Sequence, residues 1–271
     1  MRKVEAIGVE GLPEIEQGAR LGELIAARTE LLDGDVVVIA QKAVSKAEDR
    51  VIHLSSAIPS AEARRLAAAL GKDPALVQLI LNESKEVLRA ERNVLITETH
   101  HGFVCANAGI DTSNLPEVGT VCLLPEDPDA SARRLKTEIT AAISEEPGVG
   151  LPGQKRGVSG GTHPRLPFTV AVVIADSFGR AWRLGQAEVA IGCAGLTPLD
   201  DWRGREDAHG QKLEATMIAI ADEAAAAADL VRSKDSRVPA VVVRGLERFV
   251  TSDDGPGAAS LRRPRHEDLF R

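Results

Sequence analysis

Tyrosine is missing from the 271 residues, and aromatic residues of all kinds make up only 3%. Such a chain offers no row of rings on which bases could stack and no phenol for tyrosine chemistry. Cysteine is nearly as scarce: Cys105, Cys122 and Cys193 share no metal-type spacing, and an odd count leaves one unpaired. They are expected as small buried residues in a reducing cytoplasm. No window of about 18 residues is wholly apolar, and the opening MRKVEAIGVE lacks a signal-peptide core, so a cytoplasmic protein without a membrane span is expected. There is no basic block either, and the net charge is -7, which argues against nucleic acid as the main partner. Anionic substrates would have to be met by a few local Lys and Arg side chains or by metal ions.

What is present is an ordinary globular composition, 44% apolar and 27% charged, long enough for one large domain or two small ones. Residues 168–196 (FTVAVVIADSFGRAWRLGQAEVAIGCAGL) stand out. They begin with an apolar run, 170–175, that has the length and β-branched content of a buried strand. The run stops at Asp176, followed by Ser177, Gly179 and Arg180. A carboxylate at the end of a buried strand is costly unless a cation or several donors meet it. Asp176 with Ser177 Oγ would supply two oxygen ligands to a hard cation; a turn Asp capping the next segment is the plainer alternative. A second acid occupies a similar setting. In 106–114 (ANAGIDTSN), a loop of small residues gathers Asp111, Ser113 and Asn114, so Asp111 pairs with Asp176 if both segments reach one edge of a sheet.

Along the chain, strands are predicted at 4–9, 35–40, 94–99, 103–106, 120–124 and 238–244. Helices are predicted at 17–32, 60–70, 74–90, 128–144 and 211–231. Lys42 and Lys46 follow the strand 35–40, where a phosphate could be met; lysines in such places are commonly just solvated. His100 and His101 with Gly102 read as a hairpin turn in preference to a metal site. Residues 145–167 hold many Gly and Pro, including a literal GxGxxG at 148–153 without the strand–turn–helix setting of a dinucleotide site. That segment is expected to be a surface loop, 199–210 a charged loop, and 251–271 a polar, mobile tail. Strands and helices interleave without a clean βαβ rhythm, so α+β is the predicted class.

These segments also resemble a known family, the F420-0:γ-glutamyl ligases of deazaflavin cofactor biosynthesis. The resemblance runs through 11–15 (GLPEI), 35–48 (DVVVIAQKAVSKAE), 83–89 (ESKEVLR), 105–114 (CANAGIDTSN) and 123–135 (LLPEDPDASARRL). It continues through 174–183 (IADSFGRAWR), 189–196 (VAIGCAGL) and 238–245 (VPAVVVRG), in the family's order. It implies a single ligase domain over 1–250, with 145–167 as an inserted loop and no nitroreductase-like second domain. It also implies an intertwined homodimer and a GTP-dependent amide ligase joining L-glutamate to F420-0 through an acyl phosphate, with Mg²⁺ or Mn²⁺ and K⁺. By motif, Asp111, Asp176 and Lys46 form the catalytic set. Asp111 and Asp176 would ligate metal, Ser177 a second metal, and Lys234 stands where the family has an amide ligand. The nucleotide would meet Leu12, Pro13, Glu14, Ile15, Gln41, Lys42 and Asn114, with Lys46 on phosphate. Arg232, Ser233, Lys234, Asp235, Ser236, Arg237, Val238 and Pro239 would complete the GTP site. The chain departs from the pattern at Ser233-Lys234, where Gly-Gln or Gly-Lys is frequent, and at Ser177, where Thr is. A glutamyl ligase for another carboxylate-bearing cofactor, or a GTP-binding protein without catalysis, are the alternatives.

Overall fold

The protein is described by a computed structural model covering residues 3–113, 115, 117–145, 168–233 and 236–269. Asn114, Lys234, Asp235 and the GxGxxG within the 145–167 loop lie outside the described residues.

β1 (Glu5–Gly8) leads through α1 (Leu21–Ala26) to β2 (Val36–Ala40), which runs directly into α2 (Gln41–Ala47). An excursion follows: β3 (Val51–His53), α3 (Ala61–Leu70), α4 (Pro74–Asn82), β4 (Ser84–Glu91), β5 (Val94–Thr99), β6 (Val104–Ala106) and β7 (Thr120–Cys122). α5 (Pro128–Glu145) returns to the main body, followed by the long hairpin β8 (Ala171–Arg180) and β9 (Arg183–Ala194). β10 (Leu199–Asp201), β11 (Met217–Ala219), α6 (Ile220–Asp229) and β12 (Ala240–Arg244) complete the chain of regular elements.

The main sheet has the order β1-β12-β2-β8-β9, with β2 and β8 parallel and the other pairs antiparallel. With smaller sheets β4-β5-β6, β3-β7 and β10-β11 beside it, the architecture is α+β, as the sequence predicts. The central strands are apolar without alternation because both faces are covered. On one face α1, α2 and α5 pack Leu21, Ile25, Val44, Leu135 and Ile139 against Val37, Ile39, Val172 and Ile174. On the other, the alanines of α6 (Ala221, Ala224, Ala225, Ala228) lie against Val36, Val38, Val173, Val241 and Val243, small side chains letting the helix approach closely. Each fully buried aliphatic side chain contributes about 1.5–3 kcal/mol, so these two layers outweigh the exposed ion pairs in holding the fold. The excursion has its own core, built from α3, α4, β5 and β7.

Several elements differ from expectation. The helix predicted at 17–32 is confined to α1, which closes with the N–H groups of Ala27 and Arg28 on the Glu23 and Ile25 carbonyls; the Leu32 N–H goes to Asp35 Oδ2 at 2.8 Å in a separate turn. The helix predicted over 74–90 stops at Asn82, and the rest is β4. Register shifts between Ser84 and Glu86 and between Val87 and Arg89 break the two-residue alternation, so a bulged strand imitates a helical pattern. The helix predicted at 211–231 begins only at Ile220, since 217–219 pair with 199–201, inside the predicted charged loop. The strand starting at 170–175 does not end at Asp176 but continues to Arg180. Residues after Ser252 do not trail loosely: Ala258 is fully buried, and Asp129 near the start of α5 accepts the N–H groups of Ala258 and Ala259. His100 and His101 do form the β5–β6 turn, with ring nitrogens against the carbonyls of Asn82 and Pro125. Among the described residues no helix is long and apolar enough to cross a membrane.

Candidate active site

β2 stops at Ala40 while its parallel neighbour β8 runs on, leaving a step at the sheet edge. The chain turns into α2 there, which places Lys42 and Lys46 one helical turn apart. Residues 12–15, the loop carrying Asp111, and residues 232, 233 and 237–239 close around the step. The result is a cleft of about 630 Å³, within the usual range for small-molecule sites.

Asp111 is pinned by a bridge to Cys122 in β7. Its Oδ1 accepts the Ser113 N–H and hydroxyl, each at 2.7 Å, and Oδ2 lies 2.8 Å from Lys42 Nζ. Lys42 Nζ also donates to the Ser113 carbonyl at 2.7 Å. Burial works to raise the Asp111 carboxyl, but the bonds from Lys42 and Ser113 prevail and hold it below its ordinary value. Asp176 has the Ser177 N–H but, among the described residues, no lysine in an ion pair with it. Burial pushes it up to about 7; the Ser177 N–H pulls it back, the charges of Glu188 and Asp111 push it further, and Lys42 opposes them. Lys46 is paired with Glu14.

Of the residues singled out from the sequence, Leu12, Pro13, Glu14, Ile15, Gln41, Lys42, Lys46, Asp111, Asp176, Ser177, Arg232, Ser233, Arg237, Val238 and Pro239 all line this cleft. The structure brings them together from segments far apart in the chain. Ser236 is not in the lining; its hydroxyl turns back to the Ser233 carbonyl at 3.0 Å. Gln41 is buried, and its Nε2 is committed to Ser45 Oγ and the Leu123 carbonyl, which leaves its Oε1 and backbone for a ligand. Asp176 and Ser177 do not act as one chelate. Successive strand residues face opposite ways: Asp176 is registered with Val189 of the α5-side core, and Ser177 with Glu188.

Sequence reasoning missed Glu188 and Asp229, both in the lining. Glu188 stands immediately before the apolar run of β9 as Asp176 stands after that of β8, so the same argument could have found it. Asp229 ends α6, where an acid opposes the helix dipole, a second usable signal.

A two-sided α+β body with a sheet-edge cleft, lined by lysines, arginines and five carboxylates (Glu14, Asp111, Asp176, Glu188 and Asp229), defines a class: a site for a polyanionic small molecule taken up with cations. Among the described residues no three His, Cys, Asp or Glu side chains converge as a ready-made metal cluster. Any ion would therefore share its coordination with ligand oxygens or water. The fit is electrostatic: one carboxylate borrows a lysine and its neighbour is driven towards neutrality, a set short of positive charge.

Comparison with known proteins narrows the class. Residues 11–151 and 162–245 match the family F420-0:Gamma-glutamyl ligase, and the chain belongs to that family. A protein of Methanothermobacter thermautotrophicus named coenzyme F420:L-glutamate ligase is 42% identical over 274 residues, covering 99% of both chains. Proteins of the same name from Methanocaldococcus jannaschii and Methanopyrus kandleri are 41% and 39% identical, covering 98% and 94% of their lengths and 100% and 95% of this chain.

Proposed function

We propose that this protein joins L-glutamate to the carboxylate of F420-0 by an amide bond, with GTP as the activating co-substrate, in coenzyme F420 biosynthesis. Family membership over most of the chain supports the reaction class. The observation that carries the reading is the meeting of Lys42, Lys46, Asp111 and Asp176 in one cleft of nucleotide size.

A carboxylate is a poor electrophile because its leaving group would be an oxide. Transfer of the γ-phosphoryl group of GTP to the acceptor carboxylate converts that oxygen into a phosphate leaving group and releases GDP. The amine of L-glutamate, once deprotonated, then attacks the carbonyl carbon and expels inorganic phosphate. Lys42 and Lys46 supply counter-charge to the phosphates, and residues 12–15 and 237–239 wall the nucleotide. Asp111 and Asp176 would hold Mg²⁺ or Mn²⁺, with Ser177 and the segment around Lys234 at a second ion and K⁺ completing the set. Such ions supply charge neutralisation where two anions must meet. An intertwined homodimer belongs to the same reading.

The test is incubation with F420-0, GTP, Mn²⁺ and labelled L-glutamate. A glutamylated deazaflavin and stoichiometric GDP are expected. GDP release with a different carboxylate acceptor only would move the protein to another cofactor. Nucleotide binding without GDP release would remove it from the ligases.

A further inference from the structure

Across the β8–β9 ladder from Ser177 lies Glu188, only 5% exposed. The Ser177 hydroxyl donates to Glu188 Oε1 at 2.5 Å, and Arg232 Nη2 stands 2.7 Å from Glu188 Oε2. The second contact is an ion pair and not a directed hydrogen bond: among the described residues, neither Glu188 Oε2 nor Arg232 Nη1 has a hydrogen-bond partner, though both atoms are buried. A buried pair with incomplete hydrogen bonding is a poor stabiliser, and apolar residues of similar volume would serve the fold as well or better. Stability therefore does not explain why this buried carboxylate is carried into a cleft that already holds Asp111 and Asp176.

The backbone spends a special feature on putting it there. Ile174 pairs with Gly192 and Ala175 with Ala190, so Ile191 is an extra residue in β9. Beyond this bulge every side chain of β9 changes face. Ala194 lies in the α5-side core and Ala190 in the α6-side core, which puts Glu188 on the α6 side with Arg232. The N–H of Ala190, next to the bulge, is taken by Asp222 Oδ1 of α6 at 2.9 Å.

We propose that Glu188 is a positioning residue of this site, fixing the Ser177 hydroxyl and the Arg232 guanidinium for a cation-bound nucleotide phosphate; this rests on the ligase reading. A hydroxyl that gives its one proton to a carboxylate can only accept from its other side, which suits a cation and does not suit a phosphate oxygen. Arg232, held through Nη2, keeps Nη1 as an uncommitted donor beside the cleft.

Glu188→Gln keeps the size and removes the charge. The readout is Mn²⁺ affinity of the GDP-loaded protein by electron paramagnetic resonance, alongside kcat and KM. Loss of about tenfold or more in Mn²⁺ affinity, with the KM for L-glutamate unchanged, is expected. In the double variant with Ser177→Ala, the loss should be smaller than the sum of the two single losses, because Glu188 acts in part through that hydroxyl. Unchanged Mn²⁺ affinity in Glu188→Gln, additive losses in the double variant, or no Mn²⁺ binding by the wild type with GDP would each overturn the proposal. Should Glu188→Gln fail to fold, Glu188→Asp, which keeps the charge but withdraws it, is held to the same Mn²⁺ criterion. A wild type that binds Mn²⁺ and GDP yet makes no amide would sink the ligase reading alone, since the affinity measurement does not depend on turnover.

Discussion

Lys42 sits against Asp111; under the proposed reaction a metal ion would take the carboxylate and a phosphate the ammonium. Asp176 lacks such a substitute, and its carboxyl is pushed up to about 7 from an ordinary 3.8, burial being the main cause. The sign follows from proton counting. Between those two values the folded protein binds more protons than the unfolded chain, so stability falls as pH rises through the window and is flat above it. Asp176→Asn should therefore raise the melting temperature of the metal-free protein at pH 8. It should also flatten the stability profile between about pH 4 and 7, both measurable by thermal melts in chelator. The same variant should lose turnover by at least about a hundredfold. A site that holds like charges together gives up stability to do so. A destabilised but active Asp176→Asn would contradict both halves of the argument. Asp111→Asn should likewise lose activity, and it removes the counter-charge of Lys42, leaving it the Ser113 oxygens.

β9 and α5 meet at Gly192, where an added Cβ would lie 2.3 Å from the Pro128 carbonyl oxygen. The conflict is with backbone, so it cannot be relieved by a rotamer change. Gly192→Ala should cost about 3 kcal/mol through overpacking, read as a lower denaturation midpoint. A neutral outcome would mean that the start of α5 is not seated on β9. Elements of this kind were only partly legible from the sequence. The apolar runs of β2, β8 and β12 are unmistakable because both faces are buried, and the strand-edge acids Asp111 and Asp176 could be picked out by asking what a buried carboxylate needs. β4 was not legible, because two register shifts erase its alternation and leave Lys, Glu, Arg and Leu in a helix-like order. Glu188 was legible as an acid beside an apolar run, but its face was not, because counting from Ala194 fails at the extra residue Ile191.

At the scale of the whole molecule, Asp35 and Arg244, 209 residues apart in the chain, join the same end of the neighbouring strands β2 and β12. Asp35 is 1% exposed; it takes Nε and Nη2 of Arg244 at 2.8 Å each and the Leu32 N–H at 2.8 Å. Removing the guanidinium leaves a buried carboxylate with one remaining donor. Arg244→Met should cost about 3–5 kcal/mol, and adding Asp35→Asn should recover part of it, as a double-mutant cycle in denaturant would show. Full additivity would mean that this end of the β2–β12 pair is held by ladder bonds and apolar packing alone. The bulge at Ile191 has a consequence for the lineage as well as for the molecule. Because one supernumerary residue decides which wall of the cleft receives an acid, this stretch behaves as though it were read in phase. A substitution here changes one letter, whereas gain of a single codon between 189 and 192 would slide valine into the place of glutamate and carry the acid to the opposite wall.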